Sequence, residues 1–197
     1  MKVVVINLLE AEERKKAIIS ELKKTKLEYE FVVPTKSRKK IDPVEGWTSE
    51  ANSLRLTTIK LVKKAIKDEE EFLWIWEDDC VIDKNLFTQM NKNLPDMLKR
   101  GFDFIHLNHS GGLRFSIFNT CKSFRLSLDG VRNCQSYIIH KGVFESYLKL
   151  LQKNEMPIDE VTKHIHRMRR YSYVVDYPVV SHTVGKYSYI RKQIVNY

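Results

Sequence analysis

Three apolar runs rich in β-branched and aromatic residues, at 2–7, 29–33 and 71–76, alternate with two stretches of helical periodicity. This alternation constrains the fold more than any other feature of the sequence. Lys2-Val3-Val4-Val5-Ile6-Asn7 reads as a buried strand with a polar residue at its end. Residues 10–25 set Ala17, Ile18 and Leu22 at helical spacing, with glutamates early and lysines late, as the helix dipole favours. Tyr29 to Val33 forms a second strand, stopped by Pro34. Helical periodicity returns over 49–67 through Leu54, Ile59, Leu61, Val62, Ala65 and Ile66, and Glu71 to Trp76 is a third strand. Strand–helix–strand connections of this kind give parallel strands in an α/β sheet. Ligands in such sheets sit outside the C-terminal strand ends. Asn7, Thr35-Lys36 and Glu77-Asp78-Asp79 all fall there.

The second half is predicted to add strands at 102–107, 135–140 and 171–175, and helices from about residue 84, at 142–152 and at 158–168. From residue 178 the chain reads as irregular, aromatic and basic. No linker or repeat divides the 197 residues, so one domain is expected. No apolar run reaches the roughly 20 residues of a membrane span. The three cysteines, Cys80, Cys121 and Cys134, are odd in number and form no CxxC pair. Free thiols in a reducing, cytoplasmic setting follow as the expectation. The net charge of +9 fits either a solvated basic surface or a phosphate-bearing partner.

The chemistry concentrates at Glu77-Asp78-Asp79. Three adjacent carboxylates repel one another, and holding them at the edge of a core is costly unless a cation or basic group compensates. Mg²⁺ and Mn²⁺ take one or two carboxylates plus substrate phosphate oxygens. The competing reading is a solvated acidic turn that caps the next helix.

Several further segments extend the pattern. Val5-Ile6-Asn7-Leu8 is followed by Arg14, and Leu73 to Val81 is a hydrophobic strand running into Glu-Asp-Asp. Tyr137-Ile138-Ile139 precedes Lys141-Gly142, Pro157-Ile158-Asp159 follows, and Pro178-Val179-Val180-Ser181-His182 leads to Ser188 and Ile190. In this order the segments resemble glycosyltransferase family 25 and related small GT-A enzymes across nearly the whole chain. Two positions depart from the family's pattern: Ser53-Leu54 stands where it has Ser-His, and Val143 where it has alanine. The chain is also similar to small GT-A domains of large DNA viruses that build glycans on capsid protein.

The resemblance implies a single GT-A, Rossmann-like α/β domain, with a mostly parallel central sheet flanked by helices. Its nucleotide-binding half would span about 1–83 and its acceptor side about 84–197. The implied activity is metal-dependent, inverting transfer of a sugar from a nucleoside-diphosphate sugar, by family habit a UDP-sugar, to a glycan or glycoprotein acceptor. Mn²⁺ or Mg²⁺ would be held by Glu77 and Asp79, the local version of the DXD motif, with His182 as a further ligand. Asn7, Leu8, Arg14, Thr35 and Asp78 would bind the donor. Asp159 would be the base that deprotonates the acceptor, though Pro157 and Asp159-Glu160 also make a sound helix start. Lys186 and Arg191 could reach the diphosphate, and Trp47 could stack on a sugar.

Two other classes compete. A metal-dependent nuclease or phosphohydrolase also clusters carboxylates, and Asp103 with His106 is the candidate second group for it. A basic nucleic-acid-binding module would fit the charge. The sequence shows no RNP-like or helix-turn-helix signature, so nucleic acid is not expected as a partner. His164 and His166, two apart on a helix, point to different faces.

Overall fold

The computed structural model describes residues 2–37, 49–108, 113–121, 123–128, 131, 135–153, 156–168, 172–175, 179–182, 187–188 and 193–194. Trp47, Arg169, Arg170, Lys186 and Arg191 lie outside these residues, as do the side chains of His166, Arg167 and His182. The expected alternation is present: β1 (Val3–Ile6), α1 (Glu12–Lys23), β2 (Tyr29–Val32), α2 (Ser49–Lys67) and β3 (Phe72–Glu77). Val3 of β1 stands opposite both Tyr29 of β2 and Trp74 of β3, in parallel register. There follow β4 (Cys80–Ile82), α3 (Lys84–Arg100), β5 (Phe104–His106), the hairpin of β6 (Phe115–Cys121) and β7 (Phe124–Ser127), and β8 (Ser136–His140). Helices α4 (Phe144–Lys153) and α5 (Ile158–Met168) and strand β9 (Ser172–Val175) complete the sheet layers.

Among the described residues, the central sheet has eight strands in the order β2-β1-β3-β8-β5-β9-β7-β6. Six of the eight run in one direction, and β8 and β7 run against them. This is the α/β class the alternation predicts. β8 enters between β3 and β5, so the sheet crosses from the first half of the chain to the second without a break.

Period-two alternation sorts the strand side chains onto two faces. Val3, Val5, Trp74, Trp76, Ile105 and Ile138 pack under α1 and α3, against Ile18, Leu22, Phe87, Met90, Leu94 and Met97. Trp74 and Trp76 share this face, as their spacing requires, and neither is exposed. Val4, Ile6, Leu73, Ile75, Phe104, Tyr137 and Ile139 face α2, α4 and α5. Buried Arg55 ties two of these helices, donating from Nη1 of α2 to the Leu151 carbonyl of α4. Among the described residues, no helix is long and apolar enough to cross a membrane.

The irregular tail expected from residue 178 needs correction. β10 (Val180–His182) pairs antiparallel with β4, and β11 (Tyr187–Ser188) pairs with β12 (Gln193–Ile194). The anchor is buried Val179-Val180, whose two N–H groups donate to the Leu107 carbonyl at 3.0 and 3.2 Å. Strands of two or three residues carry no readable period, so only these long-range bonds reveal them.

Helix α3 has well-defined ends. Asp83 at its N-cap accepts from the N–H groups of Asn85 and Leu86, both at 2.9 Å, and Gly101 closes it at φ +78°. Asp83→Ala should therefore cost about 1 kcal/mol in urea unfolding. The cap also bears on the acidic triplet. β4 lies between the triplet and α3, and the capping carboxylate is Asp83, so Glu77-Asp78-Asp79 is not there to start that helix.

Candidate functional site

Topology brings several polar segments to one edge. β1, β2, β3 and β5 all end at the same edge of the sheet. α2 enters β3 from that edge, so its first turns lie beside the strand ends. β8 runs the other way and delivers α4 from the opposite edge. α4 brings the chain back, and α5 starts again at the triplet's edge before descending into β9. Local sequence makes each of these segments, and the right-handed winding of the crossovers assembles them.

The triplet follows β3 as a tight turn. Asp78 is buried and gripped from two sides: Asn7 Nδ2 donates to its Oδ2 at 2.6 Å, and Arg14 of α1 pairs with its Oδ1. Arg14 reaches Asp79 as well, at 3.3 Å. Burial raises the Asp78 pKa from 3.8 to about 6, against the opposing pull of Arg14 and the Asn7 hydrogen bond. Glu77 is only half-buried and faces a cleft. Its carboxyl is raised well above its ordinary value, first by burial, then by Asp79, and then by Asp159 from the first turn of α5.

The cleft encloses about 560 Å³, counting the space open to solvent. Ile6, Leu8 and Pro34 line it from the strand ends, Arg14 from α1, Glu50, Ser53 and Leu54 from α2, and Glu77 with Asp78 from the turn. Leu8, Arg14 and Asp78 thus line one cavity, and Asn7 joins it through Asp78. Thr35 adjoins the lining residue Pro34, and its N–H donates to Thr57 Oγ1 at 2.8 Å. His182 stands opposite Cys80 in the β10–β4 ladder, one residue beyond Asp79. Besides Ile6 at the end of β1, two lining residues, Glu50 and Pro34, are absent from the sequence-based set. Their signal is positional: both flank the connection from the end of β2 into α2, where α/β ligands sit. Ser53 and Leu54 enter that set only as a departure from the family's pattern.

The donor set suits a hard cation that arrives with a phosphorylated ligand. Glu77 feels Asp79 and Asp159 as like charges, and positive charge beside it would relieve this. Asp78 already has both oxygens engaged. Among the described residues, no three His, Cys, Asp or Glu side chains form a ready-made metal cage. One or two carboxylates completed by substrate phosphate oxygens is the usual arrangement for Mg²⁺.

The second group invoked for a two-ion hydrolase does not assemble here. Asp103 precedes β5 at the opposite edge, where its carbonyl accepts from the His140 N–H at 3.1 Å. His106 is fully buried, its ring stacked 6.0 Å from Phe104 and 5.8 Å from Tyr137. Cys80 is a buried free thiol, and burial pushes its pKa well up, away from any nucleophilic role. His164 is exposed on α5.

No protein-family model matches this chain, and no curated protein sequence is similar to it. Solved structures do resemble it. A197 from STIV is 11% identical, with a TM-score of 0.51 over 93% of this chain and 85% of that one. A glycosyltransferase involved in the glycosylation of the major capsid of PBCV-1 is 10% identical, with a TM-score of 0.48 over 88% and 80%. Mannose-1-phosphate geranyltransferase from Thermus thermophilus is 11% identical, with a TM-score of 0.49 over 91% and 74%. At such identity it is the likeness to A197 that carries weight, and what it carries is the fold. The chain is a mixed α/β domain with a mostly parallel central sheet.

Proposed function

We propose that this protein is a transferase that uses a nucleotide sugar, specifically a metal-dependent glycosyltransferase akin to family 25. The observation that carries the reading is the turn after β3. It holds one carboxylate locked by Arg14 and Asn7, beside another that faces a cleft under mutual repulsion with Asp79 and Asp159. An ordinary solvated acidic turn would not bury Asp78 or engage both its oxygens.

In this reading the nucleotide lies over the ends of β1 and β2, against Leu8, Pro34 and the first turns of α2. Glu77 and Asp79 are the metal ligands, with His182 as a further one. A divalent cation bound there would neutralise charge that builds on the departing diphosphate. Arg14 and Asn7 hold Asp78 rigid, so that it orients the donor without having to move. Asp159 faces the same region from the α5 N-terminus and takes the proton from the acceptor hydroxyl as that oxygen bonds to the anomeric carbon and the nucleoside diphosphate leaves, a single displacement that inverts configuration. The acceptor is a glycan or glycoprotein.

Calorimetry and thermal melting with UDP-sugars, with and without Mn²⁺, test this directly. A ligand at a hundredfold excess over its Kd stabilises by about 2.7 kcal/mol. In a chain of this size that raises Tm by roughly 5–10 °C. Asp79→Ala should abolish the metal-dependent part of that rise while the unliganded protein still melts cooperatively. A wild type that shows no shift with any nucleotide sugar, or a variant that shifts as much as wild type, would count against the reading.

A further inference from the structure

Beside Glu77 the sheet carries two more polar side chains that the proposed reaction leaves without a task. The Glu77 N–H donates to the Gln135 carbonyl at 2.7 Å, so the β3–β8 ladder continues one residue past its strand ends. On the other side of β8, the Leu107 N–H donates to the Ser136 carbonyl at 3.0 Å, which sets Asn108 alongside Gln135. Glu77, Gln135 and Asn108 therefore form one row across three neighbouring strands at the edge where β3 ends. Period-two alternation fixes their face. Leu73 and Ile75 lead to Glu77, Ile139 and Tyr137 lead to Gln135, and Phe104 and His106 lead to Asn108. All lie on the face that packs against α2, α4 and α5, the face over which α5 presents Asp159.

The two amides are 2% and 4% exposed. Gln135 Oε1 and Asn108 Oδ1 are buried with no hydrogen-bond partner among the described residues. An unsatisfied buried acceptor costs about 1–3 kcal/mol, and two in one row beside a half-open carboxylate form a concentrated expense. Such costs persist where a ligand relieves them. The chemistry of the row selects that ligand. Next to Glu77, carbonyl acceptors repel phosphate and favour O–H donors. A neutral ring with several hydroxyls supplies these, and it accepts in turn from the amide NH₂ groups.

We propose that Gln135 and Asn108 are the hydroxyl-recognising side chains of a sugar subsite beside Glu77, below the first turn of α5. The assignment rests on the transferase reading and deepens it: the nucleotide end is held at β1 and α2, and the sugar end along this row.

The test uses near-isosteric apolar variants, Gln135→Met and Asn108→Leu, in the full chain. Affinities for UDP, UDP-glucose, UDP-galactose and UDP-N-acetylglucosamine are measured by calorimetry with Mn²⁺, and melting is followed without ligand. Wild type should bind at least one UDP-sugar more tightly than UDP. Each variant should lose about tenfold of that margin, which corresponds to 1.4 kcal/mol, and should keep its UDP affinity. Unliganded variants should melt at or above the wild-type temperature, because an unsatisfied acceptor has gone. Variants that keep the sugar margin, or that melt several degrees lower because the amides hold structural water, would overturn the assignment. So would a wild type that binds UDP and every UDP-sugar equally. A wild type that binds none of the four probes would instead sink the transferase reading on which it rests.

Discussion

Asp159→Asn should lower turnover by about 100- to 10,000-fold, the range a positioned general base supplies. Nucleotide affinity should stay within about twofold, since the loss is confined to the transition state. Asparagine keeps the shape of the side chain and removes its capacity to take a proton. The helix start survives the change. The Pro157 carbonyl still accepts from the N–H groups of Glu160 and Val161, each at 3.1 Å, and Glu160 still provides a first-turn acid. Loss of one charge at the dipole costs about 0.3–1 kcal/mol. Steady-state kinetics with separate kcat and KM decide the matter. Wild-type kcat in the variant would remove Asp159 from the chemistry and leave it as a helix-start residue.

Arg14→Met should destabilise the metal-free protein by about 2 kcal/mol at pH 7.5, and the penalty should be markedly smaller at pH 5. Arg14 is 16% exposed at its side chain and Asp78 7%, so little solvent screens the pair. Without Arg14, Asp78 keeps the Asn7 hydrogen bond and a backbone hydrogen bond to offset a buried charge. The sign follows from the direction of the Asp78 shift, from 3.8 up to about 6. Between those values the folded state binds the proton that the unfolded state has released. Asp78 therefore favours folding at low pH and loses that contribution as pH rises through about 6. Above that point Asp78 is ionised and Arg14 is the main group that makes its burial tolerable. Below it, a neutral carboxyl needs no counter-ion. Urea unfolding of wild type and variant in EDTA, at both pH values, reads the difference. An equal penalty at the two pH values would mean that Arg14 acts through packing of its stem instead.

The same pairing separates the carboxylates of the triplet by role. Asp78 already has a fixed positive partner, while Glu77 faces the cleft with negative neighbours, so an incoming cation gains more at Glu77 than at Asp78.

Local pattern was enough for the elements of the first 77 residues. The 49–67 periodicity matches α2 at both ends, and the apolar runs match β1, β2 and β3 to within one or two residues. Their parallel order followed from the helical crossovers, and with it the placing of Asn7 and Glu77 at one edge. A period of 3.6 or 2 is a property of neighbouring residues, so a linear reading can detect it. The antiparallel entry of β8, the β4–β10 ladder and the β6–β7 hairpin were out of reach, because they pair short segments through bonds between distant parts of the chain.

The site divides in the same way. Charge and position marked the triplet, but only the folded chain showed that Arg14 neutralises Asp78, that Asp159 acts on Glu77 across the sheet edge, and that Gln135 and Asn108 continue the row. By itself the sequence determined the α/β class and the place where carboxylates gather. The tertiary structure decided which carboxylate is locked and which faces the cleft, because burial and charge pairing depend on residues brought together from far apart in the chain.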